Sequence, residues 1–216
     1  MKRLTLISLG LAAMLTVACT SNEKPAEPSK KAQTQIDTQE AVLENIMTRV
    51  TCRAYQNKPV EKEKVELLLQ AGMAAPTALN AQPWHFIVIT DRDVLEELGA
   101  ASPHTGVLAT APLAIAVCGD TDKKLPVDEG VYWIQDVAAA TENILLAAHA
   151  MGLGATWTGS YPVESRFKIA KKALQLPDHI KSVSIVALGY PAMEPQVKDK
   201  WNPANVSYNK YEANNN

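Results

Sequence analysis

The chain has few of the residues that build metal cages, disulfide frameworks and nucleic-acid surfaces. Its three cysteines, Cys19, Cys52 and Cys118, lie far apart, form no CxxC pair and have no pair of histidines nearby. This spacing gives little support to a metal site or a disulfide framework. Because 21 Lys and Arg residues stand against 23 Asp and Glu residues, no basic excess exists to neutralise a nucleic-acid backbone, and nucleic acid is not an expected partner.

The usual catalytic motifs are also absent. The sequence contains no GxSxG elbow, Walker loop, HExxH pair or GxGxxG fingerprint, and the stretch from Gly152 to Trp157 fails the last of these at its final position. With 47% hydrophobic and 20% charged residues among 216, the composition is typical of a folded soluble domain. It excludes a disordered chain, a collagen and a multi-span membrane protein.

The N-terminus carries a targeting segment. Lys2 and Arg3 precede a mostly apolar run over residues 4–18 that ends at Cys19, an arrangement that resembles a bacterial lipoprotein signal. The run is too short for a spanning helix. We expect residues 1–18 to be a signal peptide and Cys19 to be the lipidated first residue of the mature chain. An ordinary secretory peptide cut near the same place, or a buried thiol at Cys19, is the alternative.

Either kind of signal peptide predicts a protein outside the cytoplasm, on the periplasmic side or at the cell surface of a bacterium. Attachment to the membrane is then expected through the lipid alone. Residues 19–36 contain two prolines, many polar groups and almost no large apolar side chain, so they are predicted to form a flexible linker. Residues 37–216 suffice for one domain with its own core.

Hydrophobic periodicity predicts helices, and short runs rich in aromatic and β-branched residues predict strands that alternate with them. The predicted helices cover residues 37–49, 61–74, 91–99, 130–151 and 164–176, and the predicted strands cover residues 84–90, 113–118, 155–158 and 183–188. The helix over 130–151 is apolar around most of its circumference, so it is expected in the centre of the molecule. The polar segment over 192–216 cannot form its own core and is predicted to contact a partner subunit.

Two segments combine residues that suit an anionic aromatic ligand. Residues 49–53, with the sequence RVTCR, place two guanidinium groups and a hydroxyl within five residues, which can bind a phosphate. A solvated basic turn is the alternative, and this pentapeptide by itself favours it. Residues 75–84 combine small residues with the amides of Asn80 and Gln82 directly before a predicted strand. Amides both donate and accept, as the polar edge of a flavin ring requires, and a helix-terminating loop is the alternative.

Together with the stretch ENILLAAHAMGLGATWTG, these segments resemble the nitroreductase family of flavoproteins over roughly residues 42–201. In that family the first motif usually is Arg-Arg-Ser-x-Arg and binds the phosphate and ribityl chain of FMN. The resemblance therefore assigns cofactor contacts to Arg49, Val50, Thr51 and Arg53. Val50 departs from the family pattern and removes a side-chain charge, whereas Thr51 keeps the hydroxyl.

The resemblance assigns further cofactor contacts to three other places. The family's Pro-Ser-x-x-Asn-x-Gln-Pro-Trp loop, which contacts FMN from the opposite subunit, is the most specific of them. Trp157, Thr158 and Gly159 are expected along the isoalloxazine ring, with a backbone N–H near its N5 atom. Lys198 and Lys200 are expected against the phosphate, with a solvated charge pair as the alternative. The loop is matched here by Pro76, Thr77, Ala78, Asn80 and Gln82.

The resemblance implies an α+β fold in which helices flank a mixed sheet, assembled as an intertwined homodimer with FMN at the interface. It also implies transfer of two electrons from NAD(P)H to small electrophiles such as nitroaromatics or quinones, with no protein residue acting as a nucleophile. Because reduced nicotinamides are cytoplasmic, another reductant stays open for an exported protein. A non-catalytic flavin or aromatic-ligand binding lipoprotein, or a specialised flavin reductase or dehalogenase-type member, is the alternative.

For two residue pairs in the long predicted helix, the sequence leaves two alternative roles. Tyr132 and Trp133 either flank the substrate or pack in the core. Glu142 and Asn143, in the middle of the helix among alanines, are expected to be interface residues or buried hydrogen-bond partners rather than catalytic groups.

Overall fold

The computed structural model describes residues 30–125, 130–194 and 196–211. The predicted signal peptide, Cys19 and the first part of the predicted linker lie outside the described residues, so they stay predictions. By its contacts the chain divides into two units, Met1–Gln39 and Glu40–Asn216. The sheet and the candidate site belong to the second unit. None of the helices in these ranges has the length and apolar character needed to cross a bilayer.

The described secondary structure follows the predicted order closely. The helices are α1 (Lys30–Thr48), α2 (Lys62–Met73), α3 (Arg92–Gly99), α4 (Tyr132–Ala150) and α5 (Glu164–Ala173), and the strands are β1 (Trp84–Ile89), β2 (Leu113–Asp120), β3 (Gly154–Gly159) and β4 (Ile180–Gly189). The largest difference is at the first helix, which begins seven residues earlier than predicted. Residues 30–36, predicted as the end of the linker, are therefore helical in the structure.

The four strands form one sheet in the order β1-β2-β4-β3, and every neighbouring pair is antiparallel. The predicted α+β class, with helices flanking a sheet, is confirmed. The parallel part of the predicted mixed sheet is reduced, among the described residues, to a single bridge between Thr51 and Ala155. Strands β1 and β3 lie at the two edges, so each offers one edge that no neighbouring strand of the sheet covers.

Strand β2 explains why helices cover both faces of the sheet. Its residues from Leu113 to Gly119 are buried, and successive side chains point to opposite faces. One set of side chains packs with α2 and α4, and the other set packs with α3 and α5. The first set includes Ile115 and Val117 against Leu68, Val137 and Ile144; the second includes Ala114 and Ala116 against Leu95, Leu98 and Ala170.

Candidate functional site

A cleft of about 590 Å³ opens between the segment that follows α1 and the C-terminal segment. It is lined by Val50, Thr51, Cys52, Arg53, Ala54, Met193, Glu194, Gln196, Lys198 and Lys200, a set named here the cationic cleft. Two predicted groups of cofactor-binding residues, distant in sequence, are thus brought together. Arg53, Lys198 and Lys200 form no ion pair with any described residue, so their charges are available to an anionic ligand.

The first wall of the cationic cleft is fastened to strand β3. Thr51 forms the parallel bridge to Ala155, and the Cys52 N–H donates to the Ala155 carbonyl at 3.0 Å. The approach is close, because a Cβ at Gly154 would lie 2.6 Å from both the Cβ and the Sγ of Cys52. Glycine is therefore required at this position of β3. The Cys52 side chain is buried, although its segment lines the cleft.

Tyr55 holds the same wall from inside, and sequence reasoning missed it. Its hydroxyl lies 2.7 Å from the Cys52 carbonyl oxygen and 3.1 Å from the Ala187 carbonyl oxygen on β4. The Thr156 hydroxyl also donates to the Cys52 carbonyl. Burial raises the pKa of the Tyr55 hydroxyl far above its usual value, so the group stays a protonated donor at neutral pH. No short motif marks such a contact, because Ala187 lies on a strand that is distant in sequence.

Arg49, the first predicted phosphate contact, does not line the cationic cleft. Its Nε atom lies 3.4 Å from Oε1 of Glu142 on α4, and its side chain is 19% exposed. Beside it, Nε2 of His149 lies 2.9 Å from the Thr48 hydroxyl oxygen. Burial and the charge of Arg49 lower the pKa of His149. Glu142 thus acts here as the partner of a cation.

Residues 76–82, named here the amide loop, form a turn with an unusual backbone. Leu79, Asn80 and Gln82 have φ angles of 49°, 54° and 47°, in the left-handed region that glycine prefers. Such residues cost free energy and cluster at functional sites. The loop presents Leu79 to solvent with 86% of its surface exposed. The Gln82 Nε2 group donates to the Asn80 Oδ1 atom at 3.0 Å, which leaves the Asn80 NH₂ and the Gln82 carbonyl oxygen for a ligand.

Two hydrogen bonds shape the start of the amide loop. The Thr77 hydroxyl accepts from the Gln82 N–H at 3.2 Å. The Ala78 N–H donates to Oδ1 of Asp136 at 2.9 Å. Asp136, on α4, was not identified from the sequence, where it is one acidic residue in an apolar helix. The amide loop residues are not among those that line the cationic cleft, so the structure of one chain does not bring the two predicted halves of the site together.

Strand β3 has a free edge that continues from the Cys52 contact. Because Ala155 accepts on this edge, the alternation of a strand places the N–H and C=O groups of Trp157 and Gly159 on it as well. Arg166 donates to the Gly159 carbonyl at 3.2 Å, as this geometry requires. The N–H groups of Trp157 and Gly159 therefore face outward, and an added Cβ at Gly159 would meet no atom within 4 Å.

Thr158 points the other way, which corrects one detail of the prediction. Its side chain is buried, and its hydroxyl donates to the Ile185 carbonyl of β4 at 2.6 Å. Strand pairing directs its N–H toward β4 too, because Thr158 lies opposite Ile185 in an antiparallel ladder. Of the three predicted ring contacts, only Trp157 and Gly159 thus offer groups on the free edge.

Trp133 and Arg53 were assigned incompletely from the sequence. Trp133 is buried against Gly119 and against the Tyr161 ring, whose centroid is 5.3 Å away, so it packs in the core.

Arg53 also lines a second cleft of about 490 Å³. The other lining residues come from the segment after α3 and are Pro103, His104, Gly106, Val107 and Thr110. That segment carries no recognisable motif, so only the tertiary structure reveals its position beside Arg53.

Comparisons with known proteins identify the family of the chain. The model of the Nitroreductase family matches residues 46–105 and 103–190. A protein of Archaeoglobus fulgidus that carries the name NADH dehydrogenase/NAD(P)H nitroreductase is 42% identical over 176 residues, covering 80% of this chain and 99% of that protein.

Two solved structures are similar over most of the chain. One is the crystal structure of a Bacteroides thetaiotaomicron protein that carries the name NADH dehydrogenase/NAD(P)H nitroreductase. It is 44% identical and has a TM-score of 0.75, covering 79% of this chain and 98% of that one. An FMN-dependent nitroreductase of Clostridium difficile R20291 shares 26% identity and a TM-score of 0.71, covering 78% and 99%. The chain belongs to the nitroreductase family and is a flavin-dependent oxidoreductase.

Proposed function

We propose that this protein binds FMN and transfers two electrons from NAD(P)H, or from another donor, to small electrophiles such as nitroaromatics or quinones. The observation that carries the proposal is the convergence of Arg53, Lys198 and Lys200 on one cleft. The lining holds one carboxylate, Glu194, which forms no ion pair with these three cations, so a net positive charge is left that suits a phosphate monoester with up to two negative charges. The FMN-dependent relative from Clostridium difficile supports the choice of FMN.

The donor set fits the other parts of FMN. The outward N–H groups of Trp157 and Gly159 can donate to a ring nitrogen that approaches the free edge of β3. Asn80 and Gln82 offer both donors and acceptors to the pyrimidine edge. When bound, FMN would supply the hydride and electron chemistry that no side chain here can perform. The guanidinium of Arg53 would bind the anionic part of the cofactor and offset negative charge near it.

We further propose a homodimer in which the amide loop of one subunit completes the site of the other. A chain on its own keeps the amide loop away from the lining of the cationic cleft. Leu79 at the tip of the loop is exposed, and so is an apolar face of α1 formed by Val42, Leu43, Ile46 and Met47. Apolar residues grouped on one helix face are typical of a protein interface.

The electron donor and the location belong to the same proposal. The names of the relatives favour NADH or NADPH as donor. We propose export with Cys19 as the lipidated residue and the membrane held through that lipid alone, on the periplasmic side or at the cell surface. An exported enzyme would not normally meet reduced nicotinamides, so a different reductant is the specific alternative.

Anaerobic spectroscopy of the purified protein tests the function. We expect a yellow protein whose visible flavin bands bleach with NADH or NADPH and return when a nitroaromatic or a quinone is added. Bleaching by dithionite alone would exclude nicotinamide donors. A bound flavin that reduces no acceptor in steady state would instead indicate a non-catalytic flavin-binding lipoprotein. A colourless protein that takes up no added FMN contradicts the proposal as a whole.

Sedimentation tests the dimer separately. Ile46→Asp places a charge in the exposed apolar face of α1 and should convert a dimer into a folded monomer with weakened FMN binding. Glu63→Gln on the first turn of α2 is the control for a surface change outside this face. A wild-type protein that sediments as a monomer while holding FMN tightly rules out the shared site.

A further inference from the structure

The amide loop is attached to the rest of the fold by very few hydrogen bonds. Within the described residues, the bonds of Thr77, Asn80 and Gln82 close the loop on itself. Among the residues that the structure describes, one bond joins residues 76–82 to another element, and it runs from the Ala78 N–H to Oδ1 of Asp136 at 2.9 Å. A strained backbone conformation persists only where the surrounding structure holds it. This single bond is therefore important for the conformation of the amide loop.

Asp136 is placed where a carboxylate is costly. It is 7% exposed, on a helix whose neighbouring Trp133 and Val137 belong to the hydrophobic core. A buried carboxylate needs a hydrogen-bond partner to offset its lost hydration. The described partner is the Ala78 amide, and a bond between an N–H group and a charged oxygen is stronger than one between neutral groups. Within the described part of the chain Asp136 forms no ion pair, and the amide loop is the element that its carboxylate contacts through a hydrogen bond.

We infer that Asp136 is a positioning residue that holds the amide loop in the conformation that presents Asn80 and Gln82 to the flavin. This inference rests on the proposed function, since it assumes that the loop contacts FMN. Asp136 acts through the Ala78 N–H and not through contact with the cofactor. Its carboxylate fixes the first residue of the short 3₁₀ turn at Ala78–Asn80, from which the left-handed residues follow.

Two substitutions remove the bond from opposite sides. Asp136→Ala removes the acceptor and leaves the Ala78 N–H without a partner. Ala78→Pro removes the donor in a backbone that accepts proline, because Ala78 is the first residue of the turn and the preceding Thr77 is extended, with φ −135° and ψ 151°. Asp136→Asn keeps an acceptor oxygen without the charge. Thr141→Ala is the control, because it removes a buried hydrogen bond of α4 to Ser184 that does not reach the loop.

The experiment measures FMN affinity, thermal unfolding and amide exchange of Ala78 in the full-length protein, purified in detergent. We expect Asp136→Ala and Ala78→Pro each to weaken FMN binding about tenfold, as loss of a charge-assisted bond does, and the double variant to be no weaker than either one. Asp136→Asn should recover most of the affinity, and Ala78 exchange in apo protein should accelerate only in Asp136→Ala.

Several outcomes overturn the inference without touching the proposed function. They are unchanged FMN affinity in Asp136→Ala, additive losses in the double variant, or an equal loss in Thr141→Ala. If Asp136→Ala does not fold, Ala78→Pro and Asp136→Asn still decide the matter through affinity. A wild-type protein that binds no FMN is the distinct result that removes the proposed function itself.

Discussion

The cationic cleft and the amide loop are the two parts of the proposed FMN site, and the fold supports them by opposite means. The cleft wall is bound to β3 by a bridge at Thr51, a backbone bond at Cys52 and the buried hydroxyl of Tyr55. The amide loop instead holds three left-handed residues with bonds inside itself and, among the described residues, one bond to another element, at Asp136. One part is a continuation of the sheet, and the other is a strained turn.

The difference corresponds to what each part has to recognise. A phosphate is attracted by charge over several ångströms, so three cations from distant segments suffice on an ordinary backbone. A ring edge requires donors and acceptors at defined angles, which calls for a loop of fixed shape. Leu79, at the tip of the loop, is not covered by its own chain.

The largest expected effect tests how closely the cleft wall must approach β3. Gly154→Ala would place a Cβ 2.6 Å from the Cβ and Sγ of Cys52. We expect unfolding free energy to fall by about 2 to 3 kcal/mol, because a tight backbone contact must open. Gly159→Ala, whose Cβ would meet no atom within 4 Å, is the matched control and should leave unfolding unchanged. Equal melting temperatures of the two variants would show that the close contact between Gly154 and Cys52 does not stabilise the cleft wall.

Arg53→Ala should produce the largest loss in cofactor binding. Removing one cation from the cationic cleft should weaken FMN binding by about 2 kcal/mol, and the loss should shrink as salt is added. Arg53→Lys keeps the charge and should retain most of the affinity. Titration of FMN by fluorescence at low and high salt measures both. An Arg53→Ala protein that binds riboflavin more weakly, to the same extent as FMN, would place Arg53 away from the phosphate.

Leu79→Asn separates the strain of the amide loop from its contact role. Asparagine tolerates the left-handed region better than leucine, so the isolated chain should gain up to about 1 kcal/mol of stability. The dimer should weaken, because an exposed apolar tip is lost. Leu67→Asn, an exposed leucine on α2, is the control and should give no gain. Unfolding at low protein concentration and sedimentation distinguish the two effects; a gain in dimer strength would refute the contact role.

The smallest effect concerns the boundary of the cationic cleft at Arg49. Because the pKa of His149 is lowered in the folded state, the unfolded chain binds its proton first. The contribution of His149 to the free energy of unfolding is thus complete above the pKa of the unfolded chain, about 6.5. It decreases as the pH falls below that pKa and is lost at the lowered pKa of the folded protein. His149→Gln should reduce the slope of the free energy of unfolding against pH in this interval. Bound FMN should reduce the same slope if its phosphate comes near Arg49, and an identical slope with and without FMN would place Arg49 outside the site.

Much of the fold was predictable because it depends on local patterns. The short apolar run over residues 113–118 and the long apolar stretch over 130–151 predicted β2 and α4 within two residues at most of their ends. The start of α1 was predicted seven residues late, since polar residues 30–36 lack the apolar spacing on which the prediction depended. The mixed sheet was expected only from the resemblance, because local patterns do not give strand direction, which depends on long-range pairing.

The site was predictable in chemistry more than in geometry. The positions of Arg53, Lys198 and Lys200 were identified from the resemblance, and they do line one cleft. Thr158 was expected to face the ring, but it faces β4, because which residues of β3 face the free edge depends on its register with β4. Asp136 and Tyr55 carry no motif, since their partners lie in distant segments.

The sequence by itself determined the helices and strands, the cationic and amide segments, and the family, because these depend on residue types at short spacing. The tertiary structure decided which groups share a cleft, which edge of β3 is free and which backbone group donates to the carboxylate of Asp136. Those features depend on contacts between residues far apart in the chain, and short-range patterns carry no information about such distances. The physical reason is that burial and strand pairing act on the whole domain at once.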